Sequence, residues 1–262
     1  MQMQKSASAA AIIWDNWQRL TRIDELPADC RPVDRVQGYA VQAEVVRLSG
    51  QTVVGWKIAA TSLAGQKHIG VDGPLAGPLL SRRVLDSGAT VPLNGNIMKV
   101  AEAEFCFRFG ASLPARPSPY DLNEVLDAVE SLHPAIEVPD SRYNDFARVG
   151  APQLIADTAC ACWFVLGRAT TEDWRARELT SHSVTAHKNG RSAGTGNGAN
   201  VLGDPRIALT WIANELRMFG EGLRAGDIVT TGTCVAPVPV APGDRVRADF
   251  GDFGDVTLNV GD

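Results

Sequence analysis

The stretch AEAEFCF, residues 101–107, decides how the rest of the chain is read. Side chains alternate faces along a strand, so Glu102 and Glu104 project to one side while Ala103, Phe105 and Phe107 project to the other. The aromatic side belongs to a core. The two carboxylates start about 7 Å apart, twice the ~3.3 Å rise per residue, and repel one another unless something compensates. Spacing alone leaves three partners open: water at an edge strand, a basic side chain, or a divalent cation, whose hard oxygen-ligand chemistry suits glutamates. A third carboxylate, Glu137, lies in HPAIEVPD (133–140). That segment reads as a short strand bounded by Pro134 and Pro139, with Ile136 and Val138 on one face and Ala135 and Glu137 on the other.

A chain of 262 residues, 45% of them hydrophobic, can bury a sizeable core as one large domain or a small domain joined to a larger one. The formal net charge of -5 and the lack of a dense Lys/Arg run argue against a nucleic-acid or membrane-surface role. No apolar run approaches the roughly 20 residues of a membrane span. The five cysteines include no C-x-x-C pair, which fits reduced, buried thiols in the cytoplasm. SASAAAIIW (6–14) is too short and too rich in Ala and Ser for a signal peptide and reads as the start of a helix.

Residues 8–48 are predominantly helical in pattern, with Val36, Tyr39, Ala40, Ala43 and Val46 on one stripe. From Thr52 the texture turns to strands and Gly/Pro loops, so a helical subdomain over 1–50 and a β-rich body over 51–262 are expected. The spacing predicts a helix over 118–132, N-capped by Ser118 with Pro119 first and Leu122, Val125, Leu126 and Val129 facing inward. A last helix is predicted to start at Asp204-Pro205, to turn Ile207, Ala208, Trp211, Ile212 and Leu216 inward and to stop near Gly220. GDIVTTGTCV, PGDRVRADF and GDVTLNV read as closing strands.

The order of these blocks carries more than their patterns. GWKIAATS (55–62), IGVDGPLAGPLL (69–80), AEAEFCFRFG (101–110), AIEVPDSR (135–142), LIADTACACWFVLG (154–167), VLGDPRIALTWIANEL (201–216) and LRAGDIVTTGT (223–233) resemble successive blocks of the 2-keto-4-pentenoate hydratase and 2-oxo acid decarboxylase group of the fumarylacetoacetate hydrolase superfamily. The resemblance implies an α+β fold, a mixed β-sandwich roll behind a helical N-terminal part. It also implies a magnesium or manganese ion held by Glu102, Glu104 and Glu137. Lys57 matches the lysine that the group places beside the substrate, where an ammonium stabilises developing negative charge; by itself it reads as a solvated surface cation.

Asp157 and Thr233 fall in blocks that line the pocket, Asp157 in a catalytic role and Thr233 on the substrate, although each also reads as a turn or cap residue. Arg142 is open between a pocket residue and a loop-fixing ion pair. In the pentadienoate hydratases an acid directly follows the proline of the V-D-x-P block; here Leu75 follows Pro74, and Asp72 is the nearby carboxylate left to meet the substrate. The implied activity is hydration of a 2-hydroxy-dienoate such as 2-hydroxypenta-2,4-dienoate by a homo-oligomeric enzyme of aromatic-compound catabolism. Decarboxylation of a 2-oxo-dioate such as 4-oxalocrotonate is the alternative, and a non-catalytic oxo-acid-binding or partner subunit the alternative of another class. GTGNGA (194–199) fits a dinucleotide fingerprint, but Asp204 caps the following helix where a pyrophosphate would sit. The four histidines form no H-E-x-x-H, which excludes the usual zinc arrangement.

Overall fold

The computed structural model describes residues 2–219 and 222–262. In chain order the helices are α1 (Gln2–Arg19), α2 (Arg35–Ser49), α3 (Leu63–Ile69), α4 (Leu122–Ala128), α5 (Ala151–Ala156) and α6 (Pro205–Met218). The strands are β1 (Val53–Ala59), β2 (Leu75–Leu80), β3 (Val84–Asp86), β4 (Thr90–Pro92), β5 (Val100–Phe109), β6 (Val129–Val138), β7 (Trp163–Leu166), β8 (Ser183–Lys188), β9 (Arg191–Asn197), β10 (Ile228–Thr233), β11 (Val238–Pro239), β12 (Arg245–Asp249) and β13 (Asp255–Gly261). They form two mixed sheets. One has eight strands in the order β2-β1-β10-β5-β6-β7-β3, with β11 beside β5; the other has five in the order β4-β13-β12-β8-β9. None of the described helices is long and apolar enough to cross a membrane.

The strand read first lies in the middle of the large sheet, between β10 and β6, and both its faces are covered. Phe105 and Phe107 join the main core against the second sheet and its 250–253 turn, where Phe105 meets Phe250 edge-on with ring centroids 5.0 Å apart. Cys106 joins a small apolar cluster on the opposite face with Ala135, Phe164 and Ile228. A solvated edge strand is therefore not the setting of Glu102 and Glu104. A third cluster joins α1 and α2 to the body through Leu80, Tyr143 and Ala156.

Local chemistry sets the helix ends. Asp34 caps α2 by accepting from Gln37 N, and Gly50 closes it in the left-handed region at φ 61°. Asp204 caps α6. The helix predicted over 118–132 is a single short α4: Asp121, not Ser118, is the N-cap, in a reciprocal box with Glu124. From Val129 the chain is extended, because Leu132 and Val129 pair with Phe107 and Phe109 of β5 and that ladder overrides the helical spacing. Pro134 lies inside β6 rather than at its boundary. Its carbonyl accepts from Gly167 N at 2.8 Å, and its missing N–H falls on the same side, beyond the last β6–β7 pair, Ala135 with Leu166.

Two helix faces also differ from expectation. On α6 the inward residues include Ala208, Leu209, Ile212 and Leu216, whereas Ile207 is 50% exposed; Gly220, its predicted stop, lies outside the described residues. On α2, Gly38, Val41, Gln42 and Val45 are buried with Tyr39, while Val36 is 66% exposed. The cause is close packing on α5. A Cβ at Gly38 would stand 2.7 Å from Pro152 O and 3.1 Å from Ile155 Cβ, and the Gln42 amide donates to both Ala76 O and Ile155 O. Gly38→Ala should consequently destabilise the protein by about 1–3 kcal/mol despite the ~1 kcal/mol gain in helix propensity. Urea unfolding is expected to show a lower midpoint, and a higher one would disprove this account of how α2 docks.

Candidate metal centre

Register brings the carboxylates together. In the antiparallel pair β5–β6, Glu102 stands directly opposite Glu137, and Glu104 lies two residues along the same face. One oxygen from each of Glu102, Glu104 and Glu137 lies within 4.8 Å of the others. Glu104 and Glu137 are both 1% exposed, and Glu102 alone keeps a partly open rim position.

β1 supplies the cation. It runs parallel to β10, with Lys57 level with Thr230, and Thr230 is level with Cys106 of β5, so Lys57 shares the carboxylate face. Its ammonium, 3% exposed, stands 3.0 Å from Glu137 Oε1 and donates to Ala159 O at 3.1 Å. The reading of Lys57 as a solvated cation is thus overturned. Burial lowers its pKa, but Glu137, Glu102 and Glu104 outweigh that and hold it above the ordinary lysine value.

The carboxylates are pushed the other way. Burial raises Glu102 to about 7, helped by Glu137 and opposed by Lys57. Burial, Glu137 and Glu102 lift Glu104 well above the usual range, and burial raises Glu137 against the pull of Lys57. One ammonium does not neutralise three carboxylates. Glu104 Oε2 accepts from the Thr230 hydroxyl and from Gly232 N, the latter at 2.9 Å. Both Glu137 oxygens lack a hydrogen-bond donor among the described residues, the Lys57 ammonium standing near Oε1 as an ion-pair partner. Convergent, buried and under-satisfied carboxylate oxygens are the donor set of a hard divalent cation, so the residues fit such an ion.

Behind Lys57 the chain makes an unusual turn. Thr158, Ala159 and Cys160 follow one another at φ 55°, 49° and 63°, the left-handed region that L-residues avoid by about 1–2 kcal/mol each. Arg142, 1% exposed, braces the turn. Its guanidinium bonds Asp157 through Nε, Asp157 O at 2.6 Å, Thr158 Oγ1 at 3.0 Å and Ala161 O at 3.3 Å, with its carbon 4.0 Å above the Trp17 ring. Asp157 accepts in turn from Ser141 Oγ at 2.7 Å and Arg142 N at 2.9 Å. Asp157 is therefore not among the converging donors but one turn behind them, and Arg142 belongs to a loop-fixing ion pair.

Thr233 is level with Glu104, but its hydroxyl donates to Val235 O at 2.6 Å. Asp72 is exposed on the bend between α3 and β2. Leu75 is fully buried opposite Ala59, two places along β2 from Gly77, which faces Lys57. Sequence reasoning missed Thr230, Gly232 and the Ala159 carbonyl. The TTGT block signalled a site, but the residue of it that reaches Glu104 depends on the β10–β5 register. A backbone carbonyl leaves no signal at all.

Residues 81–261 match the family model described as Fumarylacetoacetate (FAA) hydrolase C-terminal. The chain is 32% identical over 246 residues to the 2-hydroxyhexa-2,4-dienoate hydratase of Comamonas testosteroni, covering 92% of this chain and 87% of that one. It is 35% identical over 217 residues to the 4-oxalocrotonate decarboxylase of Pseudomonas sp. (strain CF600), covering 81% and 80%. Among solved structures, the 4-oxalocrotonate decarboxylase of Pseudomonas putida G7 complexed with magnesium and adipate superposes with a TM-score of 0.88 at 30% identity, over 98% of this chain and 97% of that one. The α+β architecture and the helical N-terminal segment thus have one explanation: the chain belongs to the fumarylacetoacetate hydrolase family.

Proposed function

We propose that the protein is a magnesium- or manganese-dependent lyase that hydrates a 2-hydroxy-dienoate such as 2-hydroxypenta-2,4-dienoate to a 4-hydroxy-2-oxo acid, in aromatic-compound catabolism. The observation that carries the proposal is the convergence of Glu102, Glu104 and Glu137 beside one buried ammonium. These glutamates hold the ion, which when bound supplies Lewis acidity to the carboxylate and 2-oxo end of the substrate. Lys57 stabilises the negative charge that develops at the substrate oxygen as protons move, because its ammonium is fixed and shielded from water. Thr230 and Gly232 fix one oxygen of Glu104, leaving that carboxylate a defined orientation. Thr233 and Asp72 are assigned to the substrate, from β10 and from the bend before β2, and the enzyme is read as a cytoplasmic homo-oligomer.

Decarboxylation of a 2-oxo-dioate such as 4-oxalocrotonate is the second reading, and Leu75 tilts toward it and away from hydration: an apolar, fully buried side chain follows Pro74, where the resemblance to the hydratases leads one to expect an acid. The two readings share the glutamates and Lys57 and separate on the product. With magnesium and 2-hydroxypentadienoate, the expected product by NMR is the 4-hydroxy-2-oxo acid. Carbon dioxide release from 4-oxalocrotonate, without hydration of the dienoate, would give the enzyme to the second reading, and no turnover of either compound would refute both.

Saturating metal at about 100 times its Kd should stabilise the fold by about 2.7 kcal/mol, seen as a rise of roughly 5–10 °C in Tm. Glu104→Gln should abolish that rise and cut turnover by at least about 100-fold; a variant that keeps both would remove Glu104 from the ligand set. Lys57→Met is expected to lower kcat by about 100- to 1,000-fold with the metal-induced rise in Tm retained, and loss of metal binding instead would make Lys57 a structural counter-ion only.

A further inference from the structure

We infer that Arg142, clasped by Asp157, is a positioning residue for Lys57: it holds the 158–160 turn in its left-handed form and thereby holds the Ala159 carbonyl on the Lys57 ammonium. The inference deepens the proposed function and rests on its reading of Lys57 as the cation that faces the substrate.

The geometry is specific. An ammonium has three N–H donors. Ala159 O at 3.1 Å takes one N–H of Lys57 Nζ and so sets the orientation of the ammonium, while Glu137 Oε1 faces it as an ion-pair partner at 3.0 Å; the remaining N–H capacity is left for the substrate. The Glu137 direction is fixed by β-sheet register, but the Ala159 direction exists only while φ at 159 stays near 49°. Rotation to the ordinary right-handed region would swing that carbonyl off Nζ.

Nothing in the local sequence, Thr-Ala-Cys, prefers the left-handed form. The turn is held from two sides. From behind, Arg142 bonds Asp157 O and Thr158 Oγ1 through Nη2, and Asp157 fixes Arg142 through its side chain. In front lies β2, where Gly77, paired with Lys57, has no Cβ; one placed there would be 2.0 Å from Thr158 O. Arg142 therefore reaches Lys57 only through the turn, and among the described residues it makes no hydrogen bond or ion pair with the glutamates.

The side-chain 15N NMR signal of the Lys57 ammonium, assigned by its disappearance in Lys57→Met, reads the position without requiring turnover. In Arg142→Lys, and independently in Gly77→Ala, that signal should shift or broaden, and kcat should fall about 10- to 100-fold with Mn2+ affinity by EPR within about threefold of wild type. Adding Ala159→Gly to Arg142→Lys should recover part of the lost kcat, since glycine takes positive φ freely. A purely structural Arg142 would give no such rescue and would lose Mn2+ binding together with activity.

An unmoved Lys57 signal in both variants would overturn the inference, as would a moved signal with unchanged kcat. If Arg142→Lys does not fold, Gly77→Ala carries the test, because it displaces the same turn while leaving the ion pair intact. Should wild-type protein turn over neither compound while the Lys57 signal still responds, the assigned reaction fails and the positioning stands.

Discussion

Four charged groups on one face of a sheet, three of them buried and Glu102 at the rim, constrain most of what surrounds them. An isolated carboxylate in an apolar interior is so costly that it ordinarily takes up a proton instead, and here three lie together with a single ammonium. The sheet tolerates this because each charge is fixed by something outside itself. Glu137 is set by its register with Glu102, Glu104 by donors from β10, and Lys57 by a carbonyl from the 158–160 turn. Burial above all pushes all three carboxylates above the ordinary glutamate range, and only Lys57 opposes it at each of them.

The site also explains the extent of the helical and loop structure around it. The large sheet packs its aromatic face on the smaller sheet, which leaves the charged face to be closed by other segments. The turn from α5 to β7 closes it directly over β2, and α1 reinforces the turn by laying Trp17 on the Arg142 guanidinium. Arg142 is thereby shared between the N-terminal helices and the catalytic face. This is a physical role for a helical segment that supplies none of the converging carboxylates.

Much of this was legible in the sequence wherever the signal was a period or a block. Alternation along 101–107 placed the glutamates on one face and the phenylalanines on the other, and the ordered blocks pointed to Glu137 and Lys57, which the structure brings beside them. What could not be read was set by contacts between distant segments. The inward face of α2 follows from Gly38 meeting α5, not from the apolar residues that looked like its stripe. Val129 and Leu132 fit a helix by spacing, yet they pair with β5. Thr230 rather than Thr233 reaches Glu104 because of an irregularity between them in the β10–β5 ladder, which neither residue reveals alone. Ala159 acts through its carbonyl, and any residue type would carry one.

The strict alternation along β5 has a consequence for how such a protein can change over time. With the glutamates on even positions and core aromatics on odd ones, insertion or deletion of one residue within the strand would exchange the two sets at a stroke, presenting phenylalanine to the carboxylate cluster and glutamate to the aromatic core. No intermediate length preserves either function. A change of length is thus tolerated only in the connections around this strand, such as the bend carrying Asp72 before β2.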